Sequence, residues 1–418
     1  MGLIAASIPF FFALIGLELL VARTRKRPLY RLSDSISDLS CGILSQLAGI
    51  FLVLLTVAAY SFVEGNLALQ RLLPVPAWPT GPAAWVAVFL LDDLAYYWMH
   101  RASHVVAILW AGHVVHHSSE EFNLTVALRQ SSLHGLFTWV FYLPIAFLGV
   151  PVAMWLVCHA INLIYQFWIH TRTIGRLGPL EWVLNTPSHH RVHHGVNPEY
   201  QDRNFGGTFI VWDRLFGTFE PERAEPVYGI TKPLGSWNPI RANLHVFQDI
   251  GRHVRLARGW RDRWRALFAH PGWRPPAAGP PVVPVPVSPQ DYRKYEPAVA
   301  PALKRYALLQ FVVVLIGAIA LLRAAGELPP AEVLAGLFYV TLSLANIGGL
   351  LEGRTWAGVS EVVRLAVLGG ATILLLAGGS GPAWLLAAAA AFAIGSLGWM
   401  LRLRPLLTDS DPRAIVVM

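Results

Sequence analysis

The stretch Trp85-Val-Ala-Val-Phe-Leu-Leu-Asp92-Asp93-Leu-Ala-Tyr-Tyr-Trp-Met-His100-Arg-Ala-Ser-His104 runs from apolar residues of membrane-helix character into two histidines four residues apart. The run 82–99 is near the ~20 residues a helix needs to cross a bilayer, and His100 and His104 then share a helical face just beyond it. Similar apolar runs recur at 3–22, 41–63, the close pair 135–150 and 152–169, then 306–323, 331–351, 361–378 and 383–401. The predicted fold is therefore all-α and polytopic, with a helical, histidine-rich cap over a transmembrane bundle and a four-helix module at the C-terminal end. Composition agrees: 55% of the 418 residues are hydrophobic and 14% charged, against roughly 25% charged in soluble domains, which excludes an ordinary soluble enzyme. Pro144, Gly149 and Pro151 break the middle pair, so that pair is expected to form a hairpin that only partly crosses.

Basic residues set the expected topology. Arg23, Arg25, Lys26 and Arg27 follow the first run without a small-residue cleavage pattern, so that run reads as a retained helix. The positive-inside rule then places 23–31, the basic stretch 171–305, Arg354 and the Arg402/Arg404 pair in the cytoplasm. The segments 64–81, 324–330 and 378–381, poor in Lys and Arg, fall on the other side. The net charge of +8 flanks apolar runs instead of forming one tract, which argues against nucleic acid and for attraction to anionic lipid. Cys41 and Cys158 lie far apart in apolar stretches, so neither a disulfide framework nor a cysteine metal site is expected. The expected division is residues 1–270, including a cap at 171–270, a proline-rich linker at 271–305, and a transmembrane module at 306–418.

Twelve of the fifteen histidines lie between His100 and His194. Three motifs organise them: His100-Arg-Ala-Ser-His104, His113-Val-Val-His116-His117 and His190-Arg-Val-His193-His194. Residues at i, i+3 and i+4 on a helix have Cβ atoms ~5–6 Å apart, so each motif can aim its imidazoles at one place. One histidine on a helix is ordinarily a packing residue; three motifs of the same spacing make a cage. Histidine nitrogens bind first-row metals, and eight exceed what one ion takes, which points to two metal ions at the membrane surface, within reach of a lipid. His170, ending a hydrophobic run, offers a ninth ligand, and Gln166, one turn earlier, a weaker one. His189 points about 100° away from His190 on a helix and so faces the ligands' neighbours or the substrate. Asp93, seven residues before His100 and on its face, is expected to hold a histidine N–H. His134 and His159 read as helix-packing residues, His245, His253 and His270 as solvated, and Glu120 and Glu121 as surface or capping residues. Arg129, Arg191 and Arg203 read as solvated arginines on the cap, with a headgroup or a reductase surface as the alternative partner.

These motifs resemble the fatty acid hydroxylase/sterol desaturase superfamily of membrane-bound di-iron oxygenases, whose signature is HxxxH, HxxHH and HxxHH. The likeness extends to Tyr96-Tyr97-Trp98-Met99-His100-Arg101, His116-His117-Ser118-Ser119-Glu120, Gln166-Phe167-Trp168-Ile169-His170-Thr171, Asn185-Thr186-Pro187-Ser188-His189-His190, Gly206-Gly207 and Trp212-Asp213-Arg214-Leu215-Phe216-Gly217-Thr218-Phe219, and is strongest to the alkylglycerol monooxygenase branch. One position departs from that branch, with Val105 where an acidic residue follows the first motif. The resemblance covers about residues 80–235. It implies two iron ions, dioxygen as co-substrate, a membrane lipid as substrate, and hydroxylation of a C–H bond, such as the ether carbon of an alkylglycerol with release of a fatty aldehyde. A sterol desaturase or acyl hydroxylase is the alternative within the superfamily. No dinucleotide fingerprint, haem-attachment motif or cysteine cluster is present, so the resemblance implies an external reductant, tetrahydrobiopterin or a redox protein. A histidine-rich transporter would place its ligands near the bilayer midplane along a path, unlike these motifs at one face, and the complete set of eight argues against a metal-free lipid-binding relative.

Overall fold

A computed structural model of the chain describes residues 2–283, 287–379 and 381–409. Parts of the expected linker (284–286), of the expected outer loop at 378–381 (380) and of the C-terminal module (410–418) lie outside the described residues. Among the described residues the regular structure is helical, with only two isolated β-bridges. The helices of seven or more residues are α1 (Gly2–Thr24), α2 (Leu32–Leu67), α3 (Pro82–Val105), α4 (Ala107–His117), α5 (Val152–Trp168), α6 (Pro187–His193), α7 (Pro239–Leu256), α8 (Trp260–Phe268), α9 (Pro301–Ala324), α10 (Pro330–Leu351), α11 (Thr355–Ala377) and α12 (Ala383–Leu403).

Among the described residues six helices are long and apolar enough to cross a membrane: Ala6–Thr24, Leu32–Leu72, Pro301–Ala324, Pro330–Leu351, Thr355–Ala377 and Ala383–Leu406. The chain is a multi-pass membrane protein. Four expected spans differ from these, the run 152–169 forming the 17-residue apolar helix α5, shorter than the six. The run 41–63 is the middle of a much longer helix, α2, of 36 residues. The run 135–150 is broken into Gly135–Thr138, Trp139–Tyr142 and Leu143–Phe147, as its prolines and glycines require. The run 82–99 forms α3, which is not among the six because Asp92, Asp93 and the histidines of its last turns lower its apolarity.

The chain divides into two compact units, 1–234 with 243–292, and 235–242 with 293–418. In the first, α3 and α5 are tied together by Asp92. Its carboxylate accepts from Trp155 Nε1 (3.0 Å) and Asn162 Nδ2 (3.1 Å) and pairs with His159 Nδ1 (3.1 Å). An acid interrupting an apolar helix is costly unless it is fully bonded, and here the bonds come from the helix it packs on. His159 is thus an Asp92 partner, beyond the packing role expected for it. Tyr60 of α2 stacks on Trp155 at 4.4 Å, and Phe11 of α1 on Phe167 at 4.2 Å. Glu18 of α1 is buried and accepts from Tyr30, Thr171 and the Leu124 amide, which fixes the end of α1 beside the residues that follow α5.

The second unit holds α9–α12. Helices in lipid lack a strong hydrophobic drive to associate, so polar contacts and close packing of small residues carry much of the specificity. Glu361 of α11 accepts from Tyr306 of α9 (2.6 Å), Asn346 of α10 (2.6 Å) and Arg364 (2.7 and 2.8 Å). Arg364 also donates to Gln310 (2.6 Å) and Tyr339 (3.1 Å), and Gln310 donates to Ser396 of α12 (3.0 Å). All four helices meet in this one buried network. Removing one partner of a buried ion pair typically costs ~3–5 kcal/mol, whereas replacing both by apolar residues is often neutral. Glu361→Leu is expected to lower the thermal midpoint of the full-length protein in detergent, and Glu361→Leu with Arg364→Met to recover most of the loss. An unchanged midpoint in the single variant would show that the network does not hold the module together.

Candidate metal centre

Four elements supply the histidines. His100 and His104 occupy the last turns of α3, and after the extended residue Val106 the chain turns into α4, which carries His113, His116 and His117. Pro187 opens α6, where its fixed φ suits the first position, and α6 presents His190 and His193 with His194 as its C-terminal cap. His170 follows the end of α5. All nine rings are buried.

They fall into two groups: His100, His104, His113, His117 and His193, and His116, His170, His190 and His194. Within each group one nitrogen per ring lies within 4.8 Å of all the others. On α4 and on α6 the i,i+4 pair stays together, while the third histidine turns to the neighbouring group. The groups therefore share two helices and adjoin, with the His117 and His194 rings stacked at 4.3 Å.

The inward nitrogens crowd each other: Nε2 to Nε2 distances are 3.0 Å for His100–His113, 3.2 Å for His113–His117, 3.2 Å for His116–His170, 2.9 Å for His170–His190 and 3.2 Å for His190–His194. The outer nitrogens of four rings meet backbone carbonyls. His100 Nδ1 lies 2.8 Å from the Phe205 oxygen, His116 Nδ1 3.0 Å from Arg129, His170 Nδ1 2.8 Å from Gln166 and His193 Nδ1 2.9 Å from Arg203. An Nδ1–H donated outward leaves the Nε2 lone pair facing in, the usual arrangement of a metal-ligating histidine. His104 Nε2 and His193 Nε2 have no hydrogen-bond partner among the described residues. Burial and neighbouring imidazoles hold His113, His117, His170, His190 and His194 well below the ordinary histidine range, and His193 likewise, while His116 is pushed down to about 4. Buried and converging, these rings fit a cation-binding site.

The carbonyls are held in place by residues that their local sequence does not single out. Asp202 and Asn204 adopt φ of 55° and 56°, a left-handed conformation these residue types tolerate, and so aim the intervening Arg203 carbonyl at His193. Asn204 is clamped by the His189 and Glu220 carbonyls (3.1 and 2.8 Å). Asp213 accepts from the Phe205 and Gly206 amides, both at 2.7 Å, and burial raises its carboxyl to about 6. Asp93 was expected to hold a histidine; instead it accepts from the Thr208 amide (2.7 Å), the Phe209 amide (3.1 Å) and Trp212 Nε1 (2.8 Å). It anchors the loop whose Phe205 carbonyl does that work. Gly207 is required here, since a Cβ would come within 2.8 Å of Asp93 and 2.7 Å of Asn162.

Other expectations change too. The Gln166 side chain donates to Asn162 (3.1 Å), and its contribution to His170 is its carbonyl. His189 joins neither group and lies 4.0 Å from Glu181. Arg129 is no solvated cap residue; it is 1% exposed and donates to the Val115 carbonyl (2.6 Å), Ser118 (2.8 Å) and Asp38 (3.1 Å), fixing both the end of α4 and its own carbonyl under His116. Arg191 is buried against Glu222 at 2.7 Å, and Arg203 donates to the Gly217 carbonyl. Glu120 and Glu121 are buried beside Arg31, at 3.4 and 2.8 Å. His134 packs by its ring on His113 at 5.1 Å and bonds Ser103 (3.0 Å), while His270 meets Asp202 at 3.2 Å.

The fatty acid hydroxylase family model matches residues 85–218, which contain all nine histidines, and the alkylglycerol monooxygenase C-terminal domain matches 303–376. Histidine cage and family match together define an oxidoreductase of the fatty acid hydroxylase class. The chain is 39% identical to the alkylglycerol monooxygenase of Xenopus tropicalis, over 85% of this chain and 78% of that protein. The human alkylglycerol monooxygenase is 38% identical, over 85% and 79%, and an ornithine lipid hydroxylase of Rhizobium tropici 29%, over 37% and 48%. The chain belongs to the alkylglycerol monooxygenase family. No solved structure matches it.

Residues that orient metal-ligating histidines are typically worth 10–100-fold in metal affinity. Asp93→Asn puts an amide N–H₂ against N–H donors and is expected to reduce metal retention by about that factor in a chelator titration. Retention equal to the unaltered protein would show that the 205–212 loop is held by other means.

Proposed function

We propose that the chain is an O₂-dependent lipid monooxygenase that holds two iron ions, one on His100, His104, His113, His117 and His193, the other on His116, His170, His190 and His194. The observation that carries this reading is the pair of adjoining, buried, inward-facing histidine groups sharing α4 and α6. Two irons held there would supply what side chains lack, activation of dioxygen for attack on an unactivated C–H bond. One oxygen atom enters the lipid and the other leaves as water, which takes two electrons and two protons. The electrons come from a tetrahydropterin or a separate redox protein.

The residues of the chain orient, hold and exclude water. The carbonyls of Arg129, Gln166, Arg203 and Phe205 keep the rings in one tautomer, so that the inward nitrogens present lone pairs. Phe205, Phe122 and Trp110 pack their rings against the histidines and line the site with apolar surface. The substrate is an alkylglycerol: hydroxylation of its ether carbon gives a hemiacetal that separates into fatty aldehyde and glycerol. The histidine cage faces the cytoplasm, because His170 follows α5 on the side where Arg23 closes α1 and Arg25, Lys26 and Arg27 follow it, and such basic flanks stay inside.

Purified protein is expected to hold two irons per chain and to release fatty aldehyde from an alkylglycerol given dioxygen and a tetrahydropterin. His116→Ala and His190→Ala should lose metal and at least a hundredfold in activity together. Full activity in either variant would remove the cage as assigned. Two irons without aldehyde would redirect the reading to a sterol or acyl-chain hydroxylase with another donor.

A further inference from the structure

We propose that an arginine-walled basin beside the end of α1 binds the phosphoryl headgroup of an anionic membrane lipid. The cavity is about 570 Å³ and is lined by six arginines, with Glu222 and Glu225 its only acids. Its walls come from residues that follow two apolar helices. Arg25 and Arg27 stand just past Thr24, the end of α1, and Arg172 and Arg176 just past Trp168, the end of α5. Glu18 bonded to Thr171 sets those two ends side by side. All four arginines stand within eight residues of the last helical residue, Thr24 or Trp168, beside the ends of two apolar helices.

The charges are unevenly matched. Arg191 is committed: it forms a two-point bond to Glu222 (2.7 and 2.7 Å) and donates to the Thr171 and Ile174 carbonyls (3.0 and 2.8 Å). Arg223 pairs with Glu220 at 2.8 Å and Arg172 with Glu225 at 3.5 Å. Arg176 reaches only the Glu222 carbonyl, and the Arg25 and Arg27 side chains have no acidic partner among the described residues. Six guanidiniums thus face three carboxylates, Glu220, Glu222 and Glu225, and Arg25, Arg27 and Arg176 are left without an acid among the described residues. Planar guanidinium forks match the paired oxygens of a phosphoryl group. Ile174, Pro226 and Tyr228 complete the wall, giving the concave, partly apolar shape of a headgroup pocket; an acidic protein face would want a broad, flat surface. No histidine lines the basin, although Arg191 of its wall stands between His190 and His193 on α6.

The test uses full-length protein stripped of lipid in detergent, titrated with dioleoyl phosphatidylglycerol or dioleoyl phosphatidylcholine and read by native mass spectrometry. One phosphatidylglycerol should bind at least tenfold more tightly than phosphatidylcholine. The triple variant Arg25→Gln, Arg27→Gln, Arg176→Gln should lose that preference with metal per chain unchanged, and the corresponding Arg→Lys triple should keep part of it. Preference surviving in the Gln triple, or equal binding of the two lipids, would overturn the proposal. Displacement by millimolar inorganic phosphate would assign the basin to a small anion and overturn the lipid source. Arginine-dependent binding of polyglutamate without any lipid preference would make it a protein-docking surface and likewise overturn it.

Discussion

Desolvation of imidazole is the constraint on which the first unit depends. Nine histidine rings, with no carboxylate in either group, are packed where a charged ring would be costly and where each ring disfavours a proton on its neighbours. Rings held below the ordinary histidine range stay neutral, and a neutral imidazole has one N–H that needs an acceptor. Four of those acceptors are backbone carbonyls drawn from three segments, at Arg129, at Gln166, and at Arg203 and Phe205. The cage is only as well ordered as the loops that offer these carbonyls.

That requirement accounts for the buried charges around the site. Asp93, Asp213 and Arg129 touch no inward-facing nitrogen. Each instead ties backbone: Asp93 and Asp213 gather the amides of 205–209, and Arg129, paired with Asp38, holds the last turn of α4. Acids that looked like ligand supports are loop supports. The second unit uses the same device for a different end, since Glu361 and Arg364 join four helices that in lipid have little else to set their register.

The long-range contacts explain what was and was not legible in the chain. The four C-terminal spans and the three histidine motifs follow from apolar length and helical period, properties of contiguous residues. Asp92 and Asp93 are plain in the apolar run 82–99, but what they hold is set by partners far along the chain, Asn162 lying 70 residues from Asp92 and Thr208 115 from Asp93. Arg129 read as solvated for the same reason: its partner Asp38 lies on α2, 91 residues earlier. No local pattern marks Asp202 and Asn204 either, although their left-handed backbone aims a carbonyl at His193.

By itself the sequence determined that helices would form, that many were apolar enough for a bilayer, and that each histidine motif would line one helical face, because period and hydropathy are carried by neighbours in the chain. Only the tertiary structure decided how nine rings divide into five and four. On α4 and α6 that division depends on the angle at which each helix packs: histidines at i and i+4 project closely enough to meet one centre, while the intermediate ring, turned away by the helical twist, meets the next.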